Sequence, residues 1–307
     1  MSSVAASSRT ATLPTTPQVK RRKTVGAIWQ GIFIAATVFA GLVLATLLIR
    51  IFTQGIDAFG LDLFTNKFTS QSAVDRGDAG FRTGIISSLW LVLIAAVFSI
   101  PVGVGAAIYL EEYAPDNWFT RIVQVNVSNL SGVPSVVYGL LGLGVLVSFF
   151  GNDFLGPSVL AGGITLGLLI LPVIIIASQE ALRAVPLSLR QGAFALGATP
   201  WQVTWYHVLP AALSGVLTGI ILSVARALGE TAPILVAGAA LFVSRAPSGP
   251  LSDYSPLPLQ VFDALGRPQA DAKAFAAAGI IIMMVLLIAL NMFAIVLRER
   301  ANRRVRW

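Results

Sequence analysis

The sequence predicts an all-α polytopic membrane protein with six transmembrane helices, and three observations carry that prediction. Of its 307 residues, 56% are hydrophobic and only 11% are charged, with a mean hydropathy of +0.81, whereas a water-soluble domain is about one-quarter charged. Six apolar stretches, roughly 28–49, 85–110, 128–150, 156–179, 211–243 and 275–297, are each long enough to supply the about 20 helical residues that a bilayer core requires. The basic residues gather beside the first and last of them, at 20–23 (KRRK) and 298–306 (RERANRRVR), which is where charge that orients a chain in a membrane is found.

Taken in order, residues 1–24 begin as a Ser/Thr/Ala/Pro-rich run without an apolar period and read as a disordered cytoplasmic tail. The stretch that follows exceeds the core of a cleavable signal, about 7 to 15 residues, so it is expected to stay as a span. It opens a transmembrane domain over 25–297. Loops at about 51–82 and 244–274 are long enough for a little structure, and the connection at 151–155 is tight. The pairs Gly163/Gly167 and Gly215/Gly219 put small residues on one helix face, where backbones approach closely and helices pack.

The fifth stretch is too long for one straight crossing and holds Arg226, Glu230 and Pro233, so it is one bent span or two short ones. Parity selects one, because two would put the basic termini on opposite sides of the membrane. With both termini inside, thirteen Lys and Arg residues face inward and seven outward. The loop at 111–127 dissents: Glu111, Glu112 and Asp116 outnumber Arg121. Residues 298–307 close the chain as a basic cytoplasmic tail.

The chain has no cysteine and a single histidine, His207, which excludes thiol chemistry and Cys- or His-cluster metal sites. None of its four lysines follows a glycine, so no G-x-x-x-x-G-K-S/T phosphate loop exists and any ATP must be bound by another chain. A membrane enzyme needs a convergent nucleophile, acid and base, which His207 and Glu230 do not supply. An ion-driven secondary transporter commonly shows repeated halves with two broken spans; only span 5 carries charges, and no matching repeat is evident. The basic clusters lack interleaved aromatics, so lipid, and no nucleic acid, is their expected partner.

Between spans 4 and 5, residues 180–210 carry two helix starts. Ser188 with Gln191 and Thr199 with Gln202 are spaced as capping boxes, and Pro200 falls at a first helical position. Gly197 should end the first helix, at a hinge with little room for a side chain. The second helix carries Trp201, Val203, Trp205 and Tyr206. Such aromatics either enter a groove on another protein or lie among lipid headgroups, and physics alone leaves both open.

Gln191-Gly192-Ala193, three residues, Gly197, nine residues, His207, one residue and Leu209-Pro210 together resemble the EAA loop of ABC importer permeases. Gln191 stands for the family's glutamate, Gly192 for its first alanine and His207 for an aliphatic residue. The resemblance implies the type I ABC importer permease fold. It also makes Gln191, Gly192, Ala193, Gly197, Trp201, Leu209 and Pro210 a coupling surface for a separate ATPase subunit, and leaves His207 a surface or packing residue.

Arg226 and Glu230 lie four apart on one helix face. Charge at membrane depth costs at least a few kcal/mol and is normally paired, so the two form a structural ion pair or a polar pathway in which Arg226 offers a donor fork to an oxyanion. Pro233 cannot donate to the carbonyl of Gly229, which weakens the helix beside them. The segments ARALGETAP, SNLSGVPSVVYGLLGLGVL and IPVGVGAAIYLEEYAP resemble permease subunits of phosphate-specific ABC importers, over about residue 80 to the C-terminus. The likeness is to the PstA type more than to its PstC-type partner. It implies that Arg226 and Glu230 serve phosphate passage. The implied partners are a PstC-type permease subunit, a PstB-type ATPase dimer carrying ATP and Mg, and a PstS-type phosphate-binding protein. No cofactor, metal or catalytic residue is expected in this chain, whose place would be a prokaryotic inner membrane. The alternatives are the PstC-type partner subunit itself or a permease for another oxyanion.

Overall fold

A computed structural model describes residues 17–66, 79–149, 156–239, 243 and 245–303. The chain divides into two compact units, 1–51 and 52–307. The described part of the first is helical throughout, within α1 (Pro17–Gly55). Residues 17–24, expected in a disordered tail, are therefore helix; proline suits a first turn, where its missing N–H is not needed. Residues 1–16 of that tail lie outside the described residues, as does the connection at 151–155.

The second unit is helical, without strands among the described residues. After the short α2 (Asp62–Thr65) come α3 (Arg82–Ile108), which ends in a widened turn at Tyr109–Tyr113, and α4 (Trp118–Ser131). Next are α5 (Ser135–Leu141), continuing in wide turns over Gly142–Phe149, and α6 (Val159–Arg183). The short α7 (Leu187–Ala195) and α8 (Pro200–Val203) lead through a wide turn at Thr204–Val208 into α9 (Leu209–Gly229). The one-turn α10 (Ala232–Val236), α11 (Leu257–Leu265) and α12 (Ala270–Arg303) complete the chain. The last helix continues through 298–303, so most of the expected C-terminal tail is an extension of the final span.

Among the described residues, five helical runs are long and apolar enough to cross a membrane, and α4 with α5, bent by 107°, makes a sixth when the bent pair is counted as one span. Here the expectation of a continuous helix over 128–150 fails. Gly132 disfavours the helix, and Pro134 lacks the N–H that would continue it. Hydrogen bonding stops with Val133 N donating to Leu130 O at 3.1 Å and resumes when Val137 N donates to Pro134 O at 3.0 Å. The Tyr138 hydroxyl reaches back across the bend and donates to Leu130 O at 2.9 Å, occupying a carbonyl that the break touches.

The run 211–243, expected as one bent span, also differs. Its helix α9 stops at Gly229, with Glu230 in extended backbone at ψ 121°. Only α10 follows, and it ends before Gly238, whose φ is 97°. Gly229 and the missing Pro233 donor account for the stop.

The core of the unit is α6, on which Leu166, Ile170, Ile174 and Leu182 are at most 1% exposed. Both glycine pairs serve packing. A Cβ on Gly163 or Gly167 would stand 2.6 Å from Ile94 Cγ2 or 2.7 Å from Phe98 Cδ1 of α3; one on Gly215 or Gly219 would stand 2.7 or 2.5 Å from Ala181 or Ala177 Cβ of α6. The 244–274 loop holds more structure than expected. Ser87 and Ser88 of α3 accept from Ser255 N and Leu257 N at 3.4 and 3.0 Å, and Gln260 Nε2 donates to Ser255 O at 3.1 Å. Tyr254 is fully buried against Gly162; burial pushes its hydroxyl well above the usual phenol range.

Candidate functional site

Arg226 occupies the last turn of α9, and Glu230 is the first residue beyond it. Their spacing still brings them together: Arg226 Nε donates to Glu230 Oε1 at 3.2 Å, with side-chain exposures of 49% and 19%. The contact uses Nε alone, so both terminal nitrogens of the guanidinium are left for another acceptor. The short helices that follow the two interruptions, α5 and α10, pack against each other. Gly139 of α5 lies so close to α10 that a Cβ there would stand 2.7 Å from Pro233 O. Sequence reasoning missed this meeting, although Gly132 and Pro134, quoted above only as part of a resemblance, were its local signal.

At the far end of α9, the second candidate surface forms around α7 and α8. The Ser188/Gln191 capping box does not exist: α7 starts two residues earlier, with Pro186 at its N-cap and no side-chain cap. The fixed φ of Pro186, at −57°, has set the helix start, and Ser188 lies inside the first turn. The second box is present. Thr199 N donates to Gln202 Oε1 at 2.9 Å, Gln202 N donates to Thr199 Oγ1 at 3.4 Å, and Pro200 takes a first-turn position. Gly197 follows α7 with φ +83°, but a Cβ there would meet nothing within 4 Å. Backbone conformation rather than crowding therefore demands the glycine.

Gln191, Gly192, Gly197 and Trp201 are exposed, whereas Ala193 is buried and Leu209 and Pro210 are half-buried at the start of α9. The exposed part is strongly apolar: Leu187, Phe194, Leu196, Trp201, Trp205 and Tyr206 all stand out from the fold. Trp201 and Trp205 stack with ring centres 5.3 Å apart. Beneath them Ala193, Val203 and Val208 join Leu182 and Val185 in one buried cluster, which holds the surface firm. His207 is half-buried.

The structure adds four residues to this surface's support. Arg183 Nε, at the end of α6, donates to both carboxylate oxygens of Glu111 at 3.0 and 2.9 Å. Arg190 Nη2, on α7, lies 2.9 Å from Glu112 Oε1. Two of the three acids that dissented from the charge rule, Glu111 and Glu112, are thus matched by the two arginines of the 180–210 loop, a complementarity visible in the sequence as opposite charge on loops expected on one side.

Among known proteins, the family described as binding-protein-dependent transport system inner membrane component matches residues 99–307. The chain is 34% identical over 261 residues to the phosphate transport system permease protein PstA of Yersinia pestis, covering 84% of this chain and 85% of that one. It is 32% identical over 273 residues to the PstA protein of Haemophilus influenzae, covering 89% and 93%. In fold it is similar to a chain of a bacterial alginate ABC transporter, crystallised in complex with an alginate pentasaccharide-bound periplasmic protein. That likeness has a TM-score of 0.59 at 17% identity and covers 93% of this chain and 97% of the other.

Proposed function

Because this chain belongs to the family of binding-protein-dependent transport system inner membrane components, we propose that it is the membrane-spanning permease subunit of an ATP-driven importer of inorganic phosphate. One observation carries the phosphate reading. In a chain akin to PstA over most of its length, a half-exposed guanidinium with two free nitrogens stands at a helix break inside an apolar span. A phosphate entering a membrane leaves water and needs replacement donors. The planar fork of an arginine supplies two in a geometry matched to an oxyanion, and Glu230 holds the guanidinium in place through Nε while limiting how tightly the anion binds.

The chain works as a PstA-type subunit with a PstC-type permease, a PstB-type ATPase dimer and an external PstS-type phosphate-binding protein. ATP and Mg reside on the ATPase, and this chain performs no covalent chemistry. Both termini and the 180–210 loop lie on the cytoplasmic side of a prokaryotic inner membrane. The aromatic surface of α7 and α8, with Gln191, Gly192, Gly197 and Trp201 outermost, docks in a groove of the ATPase. Buried Ala193 and half-buried Leu209 and Pro210 connect that surface to α9. ATP binding and hydrolysis move the loop, and the spans open alternately to the two sides. Interrupted spans also occur in ion-driven transporters, so the decisive test is energetic. Membrane vesicles holding the assembled subunits and binding protein should take up radiolabelled phosphate only with ATP, and uptake driven by an ion gradient without ATP would refute the reading.

A further inference from the structure

The side chain of Arg190 turns inward from a helix whose neighbouring residues Ser188, Leu189 and Gln191 are exposed. Its Nη2 donates to Leu182 O in the last turn of α6 at 2.8 Å and lies 2.9 Å from Glu112 Oε1, on the widened turn that ends α3. The Glu112 side chain is only 8% exposed and that of Arg190 18%. The adjacent Glu111 is held by Arg183 of α6. Two consecutive glutamates at the foot of one span are thereby gripped by arginines from a second span and from the exposed helix.

We propose that Arg190 is a positioning residue for transport, fastening α7 to the ends of α3 and α6 so that a displacement of α7 reaches both spans together. The proposal rests on the reading of α7 as a docking helix. Its physical basis is a difference in attachment. Helix α7 follows α6 after three residues, 184–186, so α6 must respond to it. Glu112 is far away in the chain, and α3 has no such covalent route. Packing transmits a push between helices, but a pull requires something that holds in tension, which a shielded ion pair supplies and a greasy contact does not. The pair is shielded from water, so parting it costs more than parting a surface pair. Neither Arg190 Nε nor Glu112 Oε1 makes a hydrogen bond, so the grip is a close approach of opposite charges at one nitrogen rather than a hydrogen-bonded fork. A lysine, which carries its charge on one nitrogen, should therefore restore it.

The test compares the complete complex, reconstituted with its partner subunits and binding protein, in three forms. The neutral double variant Glu112→Gln/Arg190→Gln avoids stranding a buried charge and should assemble. It should continue to hydrolyse ATP while phosphate uptake per ATP falls at least about fivefold, the lower end of ordinary coupling between sites. Arg190→Lys should return the ratio to near that of the unaltered complex. A loss of stability alone would lower uptake and hydrolysis in proportion. An unaltered ratio in the double variant would overturn the proposal.

A second reading does not depend on phosphate. The chain has no native cysteine, so spin labels can be placed at Ser188 and Tyr113, both exposed. Adding a non-hydrolysable ATP analogue should leave their separation fixed in the unaltered complex and change it in the double variant. A fixed separation in both would refute the tether. If the unaltered complex took up no phosphate, the substrate reading would fall and the label distances would still decide the role of Arg190.

Discussion

Replacing Arg226 by lysine separates a scaffold from a phosphate ligand. In the structure Nε alone contacts Glu230, at 3.2 Å and with the arginine side chain 49% exposed. A lysine keeps the positive charge within reach of that carboxylate. A single, half-exposed contact of this kind contributes about 1 kcal/mol or less to stability, so assembly should be unaffected. Transport should not be. With Nε occupied, the guanidinium offers a bound phosphate two further donors in a plane, whereas an ammonium must divide three donors on one atom between Glu230 and the anion. Loss of one charge-assisted hydrogen bond is worth about 1.5 to 3 kcal/mol, which at 1.4 kcal/mol per tenfold corresponds to roughly 10- to 150-fold in affinity for the anion. The assay is ATP-dependent uptake over a range of phosphate concentrations, with the amount of assembled complex measured in parallel. The double variant Arg226→Gln/Glu230→Gln completes the argument: it should assemble and take up nothing, since the path then offers no cation. Uptake by the lysine variant within twofold of the original, or strong uptake by the neutral pair, would show that the two residues only hold each other.

Three other substitutions test other parts of the structure. Gly197→Val forces a β-branched residue to φ +83°, a strain of about 1 to 3 kcal/mol; the chain should still reach the membrane but copurify less ATPase, and Gly197→Asn, which tolerates that backbone region, should recover it. Gly219→Val drives a side chain into Ala177, whose Cβ would already stand 2.5 Å from the first added carbon; it should lower the thermal midpoint of the purified chain by the equivalent of about 1 to 3 kcal/mol, and an unchanged midpoint would mean that α6 and α9 are not held as described. Tyr254→Phe removes a buried hydroxyl without a hydrogen-bond partner, so it should leave the chain as stable or raise its stability by about 1 to 3 kcal/mol; a clear fall in the melting temperature would reveal a partner for that oxygen.

How far the sequence could be read depended on how local each signal was. The spans were legible because a run of about 20 apolar residues has few other homes. The i,i+4 pairing of Arg226 with Glu230, the capping box at Thr199 and the helix stop at Gly197 were legible for the same reason, each being contained within a few residues. The break in the third span was not, since Gly132, Val133 and Pro134 interrupt the helix without interrupting the apolar run that hydropathy follows. At the start of α7 two local signals competed, and the rigid ring of Pro186 set the boundary ahead of the hydroxyl of Ser188. The grip of Arg183 on Glu111 joins residues 72 apart; counting charges by loop registered the acids as an excess, and only the fold shows what they balance.

The bend of 107° between α4 and α5 changes what kind of solvent the third crossing needs. Built as one helix, residues 118–149 would be roughly 48 Å long, but the straight piece from Ser135 to Phe149 reaches only roughly 22 Å, short of a hydrocarbon layer of about 30 Å. The rest of the depth falls to α4 and to the break at 132–134, whose peptide groups are not sealed inside a helix. Oil cannot hydrate such groups, so at that level the bend must turn toward protein or toward water. The crossing therefore has a compass: its smooth apolar side is free to meet lipid, while its broken side must look toward protein or water.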